Sequence, residues 1–72
     1  LSELPPGGRA IVVDVDAPPA LRARLEALGF LPRTEVRCRR RAPLGDPRVY
    51  ELRGTQLCLR RTEAARIRIR PR

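Results

Sequence analysis

The chain has 72 residues, a net charge of +8 and no histidine. A chain of that length forms one domain with a net stability of only about 4–10 kcal/mol, which excludes a deep core, an enclosed cofactor pocket and a catalytic apparatus together. Eight prolines and two aromatic side chains, Phe30 and Tyr50, fit short strands punctuated by turns better than a helical bundle.

Leu1 to Leu4 reads as a short lead-in and Pro5-Pro6-Gly7-Gly8 as a turn. "RAIVVDV" then predicts a strand in which Ile11, Val13 and Val15 share a buried face. Asp16-Ala17-Pro18-Pro19 ends it, with Asp16 able to cap a following helix and proline tolerated in that helix's first turn. "PALRARLEALGF" is the one convincing helix, because Leu21, Leu25 and Leu28 recur on one face. Gly29 stands where a left-handed C-terminal residue belongs, and Phe30 and Leu31 return the chain to the core. A helix this short is unstable alone, so its leucine stripe must dock on a sheet.

"TEVRCRR" predicts a second strand with Val36 and Cys38 inward and Arg37 and Arg39 outward. "RVYELR" is a third, with Tyr50 and Leu52, or else Val49, inward. A tight turn at Gly54-Thr55 leads into "QLCLR", where Leu57 and Leu59 share a face and Cys58 points the other way. Thr62-Glu63-Ala64-Ala65 reads as a brief helical turn capped by Thr62, and "RIRIR" closes the chain with Ile67 and Ile69 inward. The fold class is therefore mainly β: a small closed barrel of about five strands over residues 1–72, with one short helix after the first strand. Closure would remove most exposed strand edges.

Catalytic chemistry finds few candidates. Without histidine the usual proton shuttle and the commonest metal ligand are both missing. Asp14 lies on a strand's outer face, and Asp16 and Asp46 have turn or capping roles. Pro6-Gly7-Gly8 has neither the spacing nor the lysine of a phosphate loop. Cys38 and Cys58 face opposite ways, which argues against a disulfide and against a shared metal site. The chain is read as a non-enzyme with no cofactor and no metal. It contains no apolar run near the roughly 20 residues of a membrane span and no signal-peptide pattern, so a cytoplasmic protein is expected, without membrane insertion. The lack of any methionine reads as a trimmed N-terminus.

The charge is uneven: residues 1–36 sum to −1 and residues 37–72 to +9. Such asymmetry ordinarily points to nucleic acid or another anionic surface. Arg39, Arg41, Arg66, Arg68 and Arg70 fall on outward strand positions where they could neutralise phosphates. All sixteen basic residues are arginine, however, which together with abundant alanine and proline looks like a GC-rich genome. No aromatic stacking platform accompanies them. The loop Ala42-Pro43-Leu44-Gly45-Asp46-Pro47 is stiffened at both ends by proline and carries leucine in its middle. Either Leu44 plugs the barrel end, or the loop is an apolar surface beside the Phe30 turn, offered to a partner.

Taken in order, "LSELPPGGRAIVV", "LRARLEALGFLP", "RAPLGDPRVYELRG" and "LCLRRTEAARIRI" resemble the FeoA family, small cytosolic companions of the bacterial ferrous iron transporter FeoB. The Ala-Pro-Leu-Gly-Asp-Pro loop and the tail from Leu59 to Ile67 are the specific parts. The same domain resembles the C-terminal SH3-like domain of iron-dependent repressors. A detached repressor domain is disfavoured because the resemblance begins at the chain's start. The resemblance implies an SH3-like β-barrel that works by protein contact with FeoB, with self-association as a further option. It implies contact positions at Leu28, Gly29 and Phe30 and at Pro43, Leu44, Gly45 and Asp46, with Leu21 and Leu25 in the core. The family usually has glycine where Arg33 stands, so a left-handed backbone there would be strained. The alternative reading is a nucleic-acid-binding SH3-like module using the five outward arginines.

Overall fold

Five strands and two short helices make up the computed structural model, which describes residues 1–72. In chain order they are β1 (Arg9–Val15), α1 (Pro19–Ala27), β2 (Glu35–Arg41), β3 (Arg48–Leu52), β4 (Thr55–Leu59), α2 (Arg61–Ala64) and β5 (Ile67–Pro71). The strands form one antiparallel sheet in the order β4-β3-β2-β1-β5. Side chains from every element meet in a single core, including Val12, Leu25, Val36, Tyr50, Leu59, Ala64 and Ile67. For both edge strands to reach the same core, the sheet must curl on itself. The curl brings the barrel together by packing, while β4 and β5 are not hydrogen-bonded neighbours. Helix α2 joins those two strands and buries Ala64 in the core they share. The β5 edge carries Arg68 and Arg70 and ends in Pro71, which discourages pairing with another chain.

Strand β1 departs from simple alternation. Ala10, Val12 and Val15 are buried, whereas Ile11 is half-buried and Val13 is exposed. The register against β5 shifts between Val12 and Asp14, so a bulge adds one residue to the inward spacing. The predicted inward set of Ile11, Val13 and Val15 is therefore wrong except at Val15. A second shift, between Cys38 and Arg40, follows the buried pair Val36 and Cys38. It turns Arg41 partly inward, where its Nη2 donates to the Leu4 carbonyl at 3.1 Å. The lead-in is thereby built into the fold: the Leu1 side chain is buried, and its backbone N donates to the Ile67 carbonyl at 2.8 Å.

Helix α1 begins after Pro18 with Pro19 in its first turn and has no side-chain cap, so Asp16 does not play the predicted role. It ends as the sequence predicts. Gly29, at φ +112°, donates to the Glu26 carbonyl and Phe30 donates to that of Leu25, a Schellman closure. Leu25 is fully buried and Leu21 packs on the core, but Leu28 is exposed. In β3 the inward face is Arg48, Tyr50 and Leu52. Arg48 is buried with Nε and Nη1 unpartnered, a position the pattern did not flag. The β3–β4 turn centres on Arg53 and Gly54, both left-handed, and Leu52 pairs with Thr55 as in a two-residue hairpin. Arg60, not Thr62, precedes α2, and its N–H is accepted by Glu63 Oε1 at 3.0 Å.

Burial pushes the Tyr50 phenol up to about 12 and raises the Cys38 thiol. Both groups hold their protons more tightly folded than unfolded. The unfolded chain therefore ionises first, and stability falls as pH rises past the ordinary thiol and phenol values of ~8.5 and ~10. Above the folded value of about 12 the Tyr50 contribution is fully lost. Urea unfolding from pH 8 to 11 should show a falling midpoint for the parent chain and a shallower fall for Tyr50→Phe. Equal slopes for the two proteins would contradict the assignment.

Candidate docking surface

The β2–β3 loop is closed on itself and tied down. Ala42 N–H donates to the Pro47 carbonyl at 3.0 Å, and Gly45 N–H to that of Ala42 at 2.7 Å. Gly45 takes φ +85°, which glycine adopts without the steric cost other residues meet. Asp46 Oδ1 accepts from the Arg61 backbone N–H at 2.9 Å, pinning the loop to the start of α2. Leu44 then stands at the apex, 96% exposed. An isobutyl group left in water forgoes about 2 kcal/mol of burial energy. It plugs nothing, so the reading of Leu44 as a barrel-end stopper is overturned.

A second apolar feature lies at the end of α1. Leu28 and Leu31 are exposed on either side of Gly29 and Phe30. Phe30 itself is completely buried, so it supports this turn from below and offers no contact surface. Leu31, which its sequence neighbours predict in the core, points outward because it stands next to a fully inward Phe30. The two features are not adjacent. A Cβ on Gly29 would meet Leu52 at the far end of β3, whereas the Leu44 loop enters β3 at Arg48. Four residue steps along a strand separate those ends by about 13 Å. The expected single patch is therefore two, and Leu44 is by far the more exposed.

The proposed arginine stripe is largely engaged elsewhere. Arg39 pairs with Glu51 at 3.4 Å, and Arg41 holds the lead-in. Arg68 grips Asp14 through both carboxylate oxygens, and the Nε–Oδ1 bond is 2.6 Å. That bond holds the Asp14 carboxyl below its usual range. Of the five arginines, only Arg66 and Arg70 make neither an ion pair nor a side-chain hydrogen bond. Phe30 and Tyr50 are both fully enclosed and cannot stack on bases. Cys38 is buried, Cys58 is exposed, and both are free thiols, as their opposite phases predict. No group of three or more His, Cys, Asp or Glu side chains is placed to hold a metal. No helix is long and apolar enough to cross a membrane.

A small SH3-like domain with an apolar residue held out on a pinned loop defines the class: a β module that presents surface. Comparison with known proteins places it further. The chain belongs to the FeoA family, whose FeoA domain model matches residues 1–71. It is 35% identical over 69 residues, 96% of its length, to the Fe(2+) transport protein A/Fe(2+) transporter FeoB fusion protein of Porphyromonas gingivalis, and it spans 8% of that protein. The solution structure of iron(II) transport protein A from Clostridium thermocellum superposes with a TM-score of 0.90 at 35% identity, covering 96% of this chain and 43% of that one. FeoA of Stenotrophomonas maltophilia, crystallised with zinc and described as an SH3-domain protein and a candidate ferrous iron transport activating factor, superposes with a TM-score of 0.87 at 36% identity. That match covers 97% of this chain and 87% of the other.

Removing the Asp46 carboxylate by Asp46→Ala should cost about 1 kcal/mol, because the Arg61 N–H loses its acceptor. Leu44→Ala should stay within about 0.5 kcal/mol of the parent, as an exposed truncation does. Urea unfolding checks both. A loss of core-truncation size at Leu44 would contradict its assignment to the surface.

Proposed function

We propose that this chain is a non-enzymatic accessory module of ferrous iron uptake, acting on the cytoplasmic side by contact with a FeoB-type transporter. The observation that carries the reading is Leu44, 96% exposed at the apex of a loop that backbone and Asp46 hydrogen bonds hold in place. A preorganised apolar group loses little conformational freedom on docking, so more of its burial energy is available for binding. Pro43, Gly45 and Asp46 shape that loop, and Leu28 and Gly29 form a separate, secondary contact at the other end of β3. The Porphyromonas gingivalis relative supports a transporter partner, since its name joins a FeoA unit to FeoB in one polypeptide. Joining the two units would make their contact intramolecular and raise its effective concentration. The carboxylates support a non-catalytic role: Asp14 is committed to Arg68, and Asp46 to the start of α2.

Leu44→Asp tests the reading. The variant should keep the parent's urea midpoint and lose co-purification with the cytosolic part of the transporter. Undiminished co-purification of a folded variant would remove the loop from the interface.

A further inference from the structure

We propose that the open cleft bounded by the α1–β2 turn, β2 and the β3–β4 hairpin binds a multivalent phosphate anion. The cleft has a volume of about 600 Å³, and Arg9, Arg33, Arg37 and Arg53 line it together with Glu35 and Glu51. Both carboxylates are already met by arginines from outside the lining. Glu35 pairs with Arg72 at 2.7 Å and Glu51 with Arg39 at 3.4 Å. None of the ion pairs in the fold involves Arg9, Arg33, Arg37 or Arg53. Four guanidinium groups therefore border one cleft with no anion of their own.

Three separate costs fall on these same residues. Arg9 and Arg37 are direct cross-strand partners on β1 and β2, an arrangement in which like charges destabilise the ladder. Arg37 Nε is buried without an acceptor, and an unsatisfied buried donor is unfavourable. Arg33 at φ +72° and Arg53 at φ +50° are the only non-glycine residues in the left-handed region. An L side chain is disfavoured there, and such strain gathers at ligand sites. An oxyanion in the cleft would offset the charge repulsion and give the Arg37 guanidinium a counter-charge.

The chemistry of the lining selects the ligand. Guanidinium forks match phosphate oxygens in paired hydrogen bonds, and four of them suit an anion with several phosphate groups. No aromatic side chain lines the cleft, so a base would have no ring to stack on and the phosphate chain itself is what the site reads. Inorganic triphosphate and the phosphate tail of a nucleotide share that chemistry. This cleft is distinct from the Leu44 loop and stands independently of the docking proposal.

Calorimetric titration of the full chain at about 150 mM salt, where exposed charges are screened beyond roughly 8 Å, tests the site. Inorganic triphosphate should bind with saturable 1:1 stoichiometry. Arg37→Gln and Arg53→Gln should each weaken it by about tenfold or more, the loss expected for a charge-assisted hydrogen bond. Arg66→Gln and Arg70→Gln make the same charge change away from the cleft and should stay within about twofold. If Arg37→Gln lowers the urea midpoint, Arg9→Gln and Arg53→Gln, at exposed positions, carry the comparison. Arg33→Gly should raise the urea midpoint by relieving the backbone and still weaken binding, a combination that general damage does not produce. ATP binding as tightly as triphosphate means the tail alone is read, and tighter ATP binding identifies a nucleotide source; either supports the site. Absence of saturable binding, equal weakening by the Arg66 and Arg70 variants, or preference for a single-stranded oligonucleotide over triphosphate overturns it.

Discussion

The enclosure of Phe30 and Tyr50 is the constraint on which the rest of this fold depends. They are the only aromatic side chains, and neither retains any exposed surface. Tyr50 arrives from the middle of β3, while Phe30 is delivered by the turn that closes α1. The core they share also takes side chains from every strand, so the five-stranded sheet curls until its edges meet there. The Gly29 turn is then indispensable, because a side chain in the left-handed region at that point would be strained. With both large rings inside, the large apolar side chains left on the surface are Val13, Leu28, Leu31 and Leu44.

That surface separates into three parts. The Leu44 loop and the Leu28–Leu31 turn stand at opposite ends of β3, and the arginine-lined cleft borders the hairpin that follows it. The arginines are not equivalent to one another. Arg68, Arg39, Arg24 and Arg72 are matched with Asp14, Glu51, Glu63 and Glu35, and Arg41 secures the lead-in. Arg48 keeps its stem on an inward strand position at the expense of two unpartnered nitrogens. The count of sixteen arginines therefore overstates how much free positive surface the molecule offers, since five are held in ion pairs, and four of the remaining eleven border one cleft.

The sequence conveyed the order of elements, the helix with its glycine stop, the inward pair Val36–Cys38 and the opposed cysteines, because each depends on local periodicity or turn chemistry, whereas it left the face of β3 open between Tyr50 with Leu52 and Val49 until the fold placed Tyr50 and Leu52 inward. It misplaced the face of β1, since Ile11, Val12 and Val13 are all β-branched and either phase satisfies them. Only the register against β5, which is a property of two strands, decides between them. The inward turn of Arg41 has the same origin in the β2–β3 shift. The separation of the Leu44 loop from the Phe30 turn is a consequence of topology, and no spacing in the chain encodes it. The Arg33 departure was visible only through the resemblance to the FeoA family, which usually has glycine there, and the backbone at Arg33 is left-handed. The cleft itself was not legible, since Arg9, Arg37 and Arg53 come from three strands or their turns and meet only after pairing.

The most direct test of the docking account is amide chemical-shift mapping of the labelled chain during titration with the cytosolic part of a FeoB-type transporter. The account predicts the largest perturbations at residues 42–46, smaller ones at 28–31, and little change along β5. Perturbations concentrated along β5 or around the arginine cleft, with residues 42–46 silent, would contradict it.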